Sequence, residues 1–547
     1  MSILNQKPKI IIYASVLVSL CLTPWVNVDS LVIPKVIFLF CLASYLLPRI
    51  NLLYFLKYRN TYLNSIFIIS VLIIIQMLMV LIITNAPFDQ QIFGRNGRGL
   101  GLITYVSLII VLLAVTVFFT YDNSNLIIFG ICVSSAISSF YAILQYLGLD
   151  LINWASRTNG VIGTLGNPNF QSAFAAMTLP FTLVFIRKNN INSKIAAIAF
   201  ALLTSFTIYI CQSYQGYVAA LLSLSIILTL YLWKRNKVYL YIALTSMSIG
   251  IFSLISGIFN SGPLSGLIFK GSVASRNEMW RTSISTSSAN PIFGIGIDSF
   301  GDYSNYYKSA SDAAGINEYI DNSHNYFLEY AAIGGYPLAF LHILLILLTV
   351  ISFLKVQSNL GKFDINLSTL FGAWVAFQSQ SLISPANIAL MLWNIIITGF
   401  IVGSAAKIGS HHPVHTSSIK TKTISVRFFT VLLMSGAIIV SYPYFNADRL
   451  QKKSAQSGDV LLAVKVAKMH PESITRYQKI GVELLQAGFV EQSVDIARSA
   501  VEFSPNSFYG WALLLSSNST VEKNKAVKEL KRLDPYNKLI IELDYFE

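Results

Sequence analysis

What most constrains this chain is its succession of apolar runs, each roughly 17 to 25 residues long, the length that crosses the hydrocarbon core of a bilayer. They begin near Ile10, Leu31, Asn64, Leu102, Leu126, Phe170, Ile195, Tyr217, Tyr239, Gly335, Leu367, Ile388 and Ser425, about thirteen by that length criterion. Of the 547 residues, 54% are hydrophobic and 12% charged, a balance that no soluble globular chain of this size sustains. The expected fold is therefore all-α, a polytopic membrane bundle of about twelve or thirteen spans.

Lysine and arginine set the orientation, because short cytoplasmic loops retain them. With Lys7 and Lys9 inside, alternate loops carry Arg49, Lys57 and Arg59; Arg187, Lys188 and Lys194; Lys234, Arg235 and Lys237; Lys355 and Lys362; and Lys407, Lys420 and Lys422. The net charge of +14 is thus mostly a topology signal and not a sign of nucleic-acid binding. The first run has a basic flank and no small-residue cleavage site, so it reads as a retained anchor. Cys21, Cys41, Cys132 and Cys211 all fall in apolar runs and form neither a disulfide framework nor a metal-ligand pattern.

This register puts residues 85–101, 149–169, 211–216 and 260–334 outside. The last is too long to lack structure of its own. Its segment Arg276 to Ala289 reads as an amphipathic helix laying Met279, Trp280 and Ile284 on the membrane surface. From about Tyr444 the composition becomes balanced in charge and helical in period, with prolines at 471, 505 and 535. The first two are separated by the tetratricopeptide period, so the expected division is a bundle over 1–443 and an outer tetratricopeptide-like domain over 444–547. Two or three such repeats bury little core alone and should pack on the membrane part, as a stabilising cap or a platform for a protein partner.

Glu329 and His342 are the main ionisable residues within the spans, and that scarcity argues against an ion-coupled transporter. Attention shifts to the outer loops, which hold Arg95, Arg98, Arg157, Arg276, Arg281 and the solitary His324. Arginine grips phosphate oxygens in pairs and stays charged, which suits a lipid-linked diphosphate. Histidine titrates near neutrality and suits a general base that takes a proton from an attacking hydroxyl. An outer-loop arginine is more often a solvated group, and a lone histidine more often structural. No carboxylate pair of glycosidase type or metal cluster is evident, and GIGID (Gly294 to Asp298) is not a nucleotide loop.

The run HNYFLEYAAIGG, His324 to Gly335, resembles the histidine motif of the O-antigen ligase family. GTLGNPNFQSAFAAMTLP (Gly163 to Pro180) and SRNEMWRTSISTSSANPIFGIGIDSF (Ser275 to Phe300) are similar to further segments of that family, in the same order. The family includes O-antigen ligases, O-antigen polymerases and O-oligosaccharyltransferases that modify proteins. The resemblance implies transfer of a glycan from undecaprenyl diphosphate to an acceptor hydroxyl, on a protein or on lipid A core, without cofactor, metal or nucleotide. It implies a multi-pass protein of the bacterial inner membrane, with active site and C-terminal domain periplasmic. His324 would be the catalytic base or acceptor-positioning residue and Arg276 a diphosphate ligand, with Arg157, Arg98 and Arg281 as further donor contacts and Asp321 or Glu329 orienting the imidazole. Where many members have a Ser-Arg-Gly-like segment, this chain has QSYQG, Gln212 to Gly216, so Gln215 would meet the donor without charge. A repeat-unit polymerase differs only in acceptor, and a polysaccharide or lipid transporter would need a polar path that the spans lack.

Overall fold

The computed structural model describes residues 6–52, 54–55, 60–154, 160–188, 190–269, 271–310, 320–408 and 423–545, and no strand occurs among them. Arg157, Lys57, Arg59, Lys420 and Lys422 lie outside the described residues. The helices of the first half are α1 (Gln6–Leu20), α2 (Ile33–Leu46), α3 (Thr61–Ile83), the short α4 (Phe88–Phe93), α5 (Leu102–Phe118) and α6 (Ser124–Tyr146). Next come α7 (Pro168–Ile186), α8 (Ile191–Ile210), α9 (Tyr214–Trp233) and α10 (Lys237–Ile258). The long loop holds α11 (Gly271–Ala289) and α12 (Phe300–Tyr307) and leads into α13 (Tyr326–Asn359), α14 (Ile365–Ser381), α15 (Ile388–Lys407) and α16 (Thr423–Ser457).

Among the described residues nine helices are long and apolar enough to span a membrane. α5 is a shorter apolar helix of 17 residues, and α1, α2 and α14 run 14 to 17 residues. Together they follow the order of the apolar runs in the sequence, and the chain is a polytopic helical membrane protein. Helix starts are written in the sequence as asparagines. The side chains of Asn60, Asn167, Asn190, Asn236, Asn325 and Asn387 each accept bonds from the first free amides of α3, α7, α8, α10, α13 and α15, satisfying donors that a bilayer could not.

The core is organised around α15, whose span is 94% buried and whose Trp393 donates to Ser19 Oγ at 2.9 Å. It packs on α5, α13 and α1. At one end of the bundle the Lys7 ammonium sits over the Phe118 ring, Lys407 reaches the Val117 carbonyl at 3.2 Å, and Arg49 bonds Thr430. Arg98 and the loop before α13 lie at the other end of α5 and α13. The basic residues and the candidate site therefore occupy opposite ends.

The helix predicted over 276–289 forms as part of α11, with Ile284 52% exposed but Met279 packed against the core. α11 packs along α13, and its Thr282, Ser283, Thr286 and Ser287 are buried. The buried stripe is made of small hydroxyl side chains. Ser283, Thr286 and Ser287 return their protons to carbonyls one turn back at 2.7 to 2.8 Å, so these three hydroxyls pack closely without unmet donors.

α16 continues without a break from membrane-length apolar sequence through Tyr444 into the C-terminal region. There α17 (Val460–Ala467), α18 (Ile474–Gln486), α19 (Val490–Phe503), α20 (Phe508–Leu514) and α21 (Thr520–Leu533) pack as successive neighbours over their own apolar cores. The region docks on the bundle, as the sequence predicts for so small a core. Asp448 accepts from the Val28 and Asp29 amides at 2.7 and 3.1 Å. Asp89 accepts from the Glu472 amide at 2.7 Å and meets His470 Nδ1 at 2.8 Å.

Candidate functional site

His324 lies in the turn that precedes α13. Asn325 caps the helix, and Asn322 Oδ1 accepts the His324 amide at 2.9 Å. The turn forces His324 to φ +46°, the left-handed region that non-glycine residues seldom occupy and that concentrates at functional positions. Its Nδ1 is buried and has no hydrogen-bond partner among the described residues.

The turn is held by one buried carboxylate. Glu329, on the first turn of α13, accepts from the Ser323 amide and the Ser323 hydroxyl through Oε2, both at 2.7 Å. Its Oε1 meets Arg98 Nη2 at 3.1 Å. Arg98 in turn donates to the Asp321 carbonyl at 2.7 Å and faces Asp298 Oδ1 across 3.4 Å. The two carboxylates hold the Arg98 guanidinium above its ordinary pKa against the opposing effect of burial. Asp298 is itself buried, which raises its pKa to about 6 despite Arg98 and the Arg95 amide. Arg95 pairs with Asp302 at 3.6 Å, and Gln90 donates to the same carboxylate at 2.8 Å.

A second clamp fixes the far side of the histidine segment. Gly335 interrupts α13 at φ +76°, and a Cβ there would lie 2.3 Å from the Ile292 carbonyl oxygen. Backbone bonds run from Ile295 to Ala332 and from Tyr336 to Pro291 at 3.0 and 2.8 Å. Gly294, at φ +63°, would place a Cβ 2.4 Å from the Ala332 oxygen. GIGID is thus the strap that docks the long loop into the Gly334-Gly335 break, a role invisible to motif reading because it needs both partners.

The structure sorts the expected site residues. Arg276, half-buried on α11, has no hydrogen-bond or ion-pair partner among the described residues, and its pKa is lowered by burial. It lies close enough to His324 to act on the imidazole. Burial first, then the charges of Arg276 and Arg98, push the His324 pKa down to about 4, against the pull of Asp321. Arg98 is spent on Glu329 and Asp298, Arg281 is exposed on α11, and Gln215 is buried, accepting from Ser384 Oγ at 2.5 Å and reaching the Ile383 carbonyl. Asp321 holds Arg98 through its carbonyl and touches His324 only electrostatically. Asp298 was missed in the sequence because an acidic residue in a loop carries no signal of its own.

Taken together, fold and site define a polytopic helical membrane protein with a neutral, half-buried histidine beside an unpaired arginine at one end of its bundle. Residues 199–343, which hold both residues, match the family model described as O-antigen ligase. Over that segment the chain is similar to O-antigen ligases. A comparison with curated proteins gives no match.

Proposed function

We propose that the protein moves a preassembled glycan en bloc from undecaprenyl diphosphate to an acceptor hydroxyl, with His324 as base and Arg276 as the diphosphate ligand. The observation that carries this reading is the pairing, within the segment matched to O-antigen ligases, of a histidine kept unprotonated with a desolvated arginine that has no carboxylate to neutralise it. A base must be free of its proton, and a cation meant for an anionic ligand must not already be paired. The imidazole takes the proton of the acceptor hydroxyl as that oxygen bonds to the anomeric carbon; the bond from that carbon to the phosphate oxygen breaks, and undecaprenyl diphosphate leaves. One displacement inverts the anomeric centre. The negative charge arriving beside Arg276 also raises the proton affinity of the imidazole as the reaction needs it. The chemistry requires no metal or nucleotide.

The basic loops support an inner-membrane orientation with the N-terminus cytoplasmic, which puts His324 and the C-terminal helices on the periplasmic side. Residues 444–547, read as tetratricopeptide-like, suit a protein acceptor or partner. The test is transfer by purified protein supplied with undecaprenyl-diphosphate-linked glycan. His324→Ala should abolish transfer at normal expression, and near-normal activity in that variant would overturn the assignment. Glycoproteomics and lipopolysaccharide gels from a knockout strain distinguish protein from lipid A core as acceptor.

A further inference from the structure

Inside the bundle, beside the first turns of α13, lies a cavity of about 50 Å³ bounded by α3, α5, α13, α14 and α15. Most of its wall is aliphatic, yet six polar side chains open onto it: Ser70, Tyr105, Tyr326, Tyr330, His342 and Asn394. Tyr326 and Tyr330 bond to each other through their hydroxyls, and the His342 ring stands edge-on to both, with centroids 5.1 and 4.9 Å away. Tyr105 packs on Tyr330 at 5.7 Å.

Two of these groups are left without a protein partner. Ser70 is 1% exposed and His342 8%, and neither Ser70 Oγ nor His342 Nε2 has a hydrogen-bond partner among the described residues. Leaving a buried donor or acceptor unmet costs about 1–3 kcal/mol each, and at membrane depth no solvent stands by to meet it. A purely apolar cavity stays dry, whereas one with two to four convergent polar groups and room for a probe sphere of roughly 10–15 Å³ holds ordered water.

We propose that this cavity is an internal water site, in which bound water hydrogen-bonds His342 Nε2, Ser70 Oγ and the tyrosine hydroxyls and so tethers the first turns of α13 to α3. That makes His342 a positioning residue for the segment that begins at the His324 turn, acting through water and not on a substrate. It also accounts for an imidazole in a bundle otherwise almost free of ionisable groups, where such a residue is costly unless solvated.

The test uses crystals of the full-length protein pressurised with xenon, together with hydrogen exchange of peptides covering 323–333. Wild type should show ordered solvent density within hydrogen-bond distance of His342 Nε2 and no xenon. The Ser70→Ala, His342→Leu double variant should take up xenon. His342→Leu should raise exchange in 323–333 several-fold, and His342→Gln, which keeps a donor and an acceptor, should restore slow exchange. Xenon in the wild-type cavity, or identical exchange in the Leu and Gln variants, would overturn the proposal. If His342→Leu does not fold, Ser70→Ala alone should lose the solvent density next to residue 70, and unchanged density there would equally count against the site.

Discussion

Replacing Glu329 with glutamine tests the link between the buried ion network and the His324 turn. The wild-type carboxylate accepts three bonds at once: 2.7 Å from the Ser323 amide, 2.7 Å from its hydroxyl and 3.1 Å from Arg98. Bonds to a charged group are worth about 1.5–3 kcal/mol, against about 0.5–1.5 for neutral ones. Glutamine keeps the shape but has only one accepting oxygen: with that oxygen on Ser323 the two bonds there weaken by about 1 kcal/mol each, and its NH2 faces the Arg98 guanidinium so that the third bond is lost, for a total of at least about 3 kcal/mol. Screening does not shrink this figure, since the Arg98 and Glu329 side chains are only 10% and 6% exposed. Removing one member of a buried pair would cost about 3–5 kcal/mol if the other charge were stranded. Asp298, 3.4 Å from Arg98, prevents that.

If half or more of the loss falls on the placement of His324, kcat drops by roughly ten- to a hundredfold at about 1.4 kcal/mol per decade, with KM nearly unchanged because Arg276, the proposed diphosphate ligand, is left in place. The assay is transfer from undecaprenyl-diphosphate-linked glycan by monodisperse protein, run as a double-mutant cycle with Arg98→Gln. Since the two side chains act through one bond, Arg98→Gln should cost about 1–3 kcal/mol less in the Glu329→Gln background than in wild type. A kcat within twofold of wild type for Glu329→Gln, or strict additivity in the cycle, would refute the network as the support of the histidine.

Three further outcomes follow from the same geometry. With the His324 pKa down at about 4, the folded protein binds fewer protons than the unfolded chain between that value and the ordinary histidine range of about 6.5. This histidine's contribution to stability therefore falls as pH drops through that window and is constant above it. The acid limb of kcat/KM should accordingly lie below the usual histidine range, and Arg276→Gln, by removing a cation, should move it upward; an unshifted limb in that variant would separate the two residues. Gly335→Ala should cost several kcal/mol or block folding, because it strains φ +76° and drives a Cβ to 2.3 Å from the Ile292 oxygen; thermal melting reads this, and a wild-type melting temperature would contradict the strap. Asp89→Ala removes the acceptor of the Glu472 amide and should speed proteolysis in 468–476 severalfold while leaving the bundle intact, which mass spectrometry of the fragments checks.

Much of the fold is legible in the residues because a bilayer leaves little choice. A run of apolar residues long enough to cross it must be a helix, since only a helix satisfies its own backbone there, and asparagines at the starts of six such helices mark where each begins. The order of the helices follows from this. The lone histidine beside a conspicuous glycine pair stands out for a similar reason: in a chain so poor in polar residues, a polar cluster at a helix start is informative.

The tertiary structure decided the rest, because it depends on which charges meet. Five outer arginines are equivalent as letters. Arg98 and Arg95 prove to be committed to Asp298, Glu329 and Asp302, residues some 200 positions away or more, whereas Arg276 has no such partner. Whether an arginine is a strut or a ligand is a matter of its neighbours, and sequence separation hides them. That Met279 of α11 packs into the core is likewise hidden in its sequence, and GIGID has no meaning without the break at Gly335 that receives it. Sequence alone thus determined that the protein lives in a membrane, and which histidine to ask about. Only packing showed that this histidine is half-buried, held in a left-handed turn by one carboxylate, and kept free of its proton first by desolvation and then by the cations beside it.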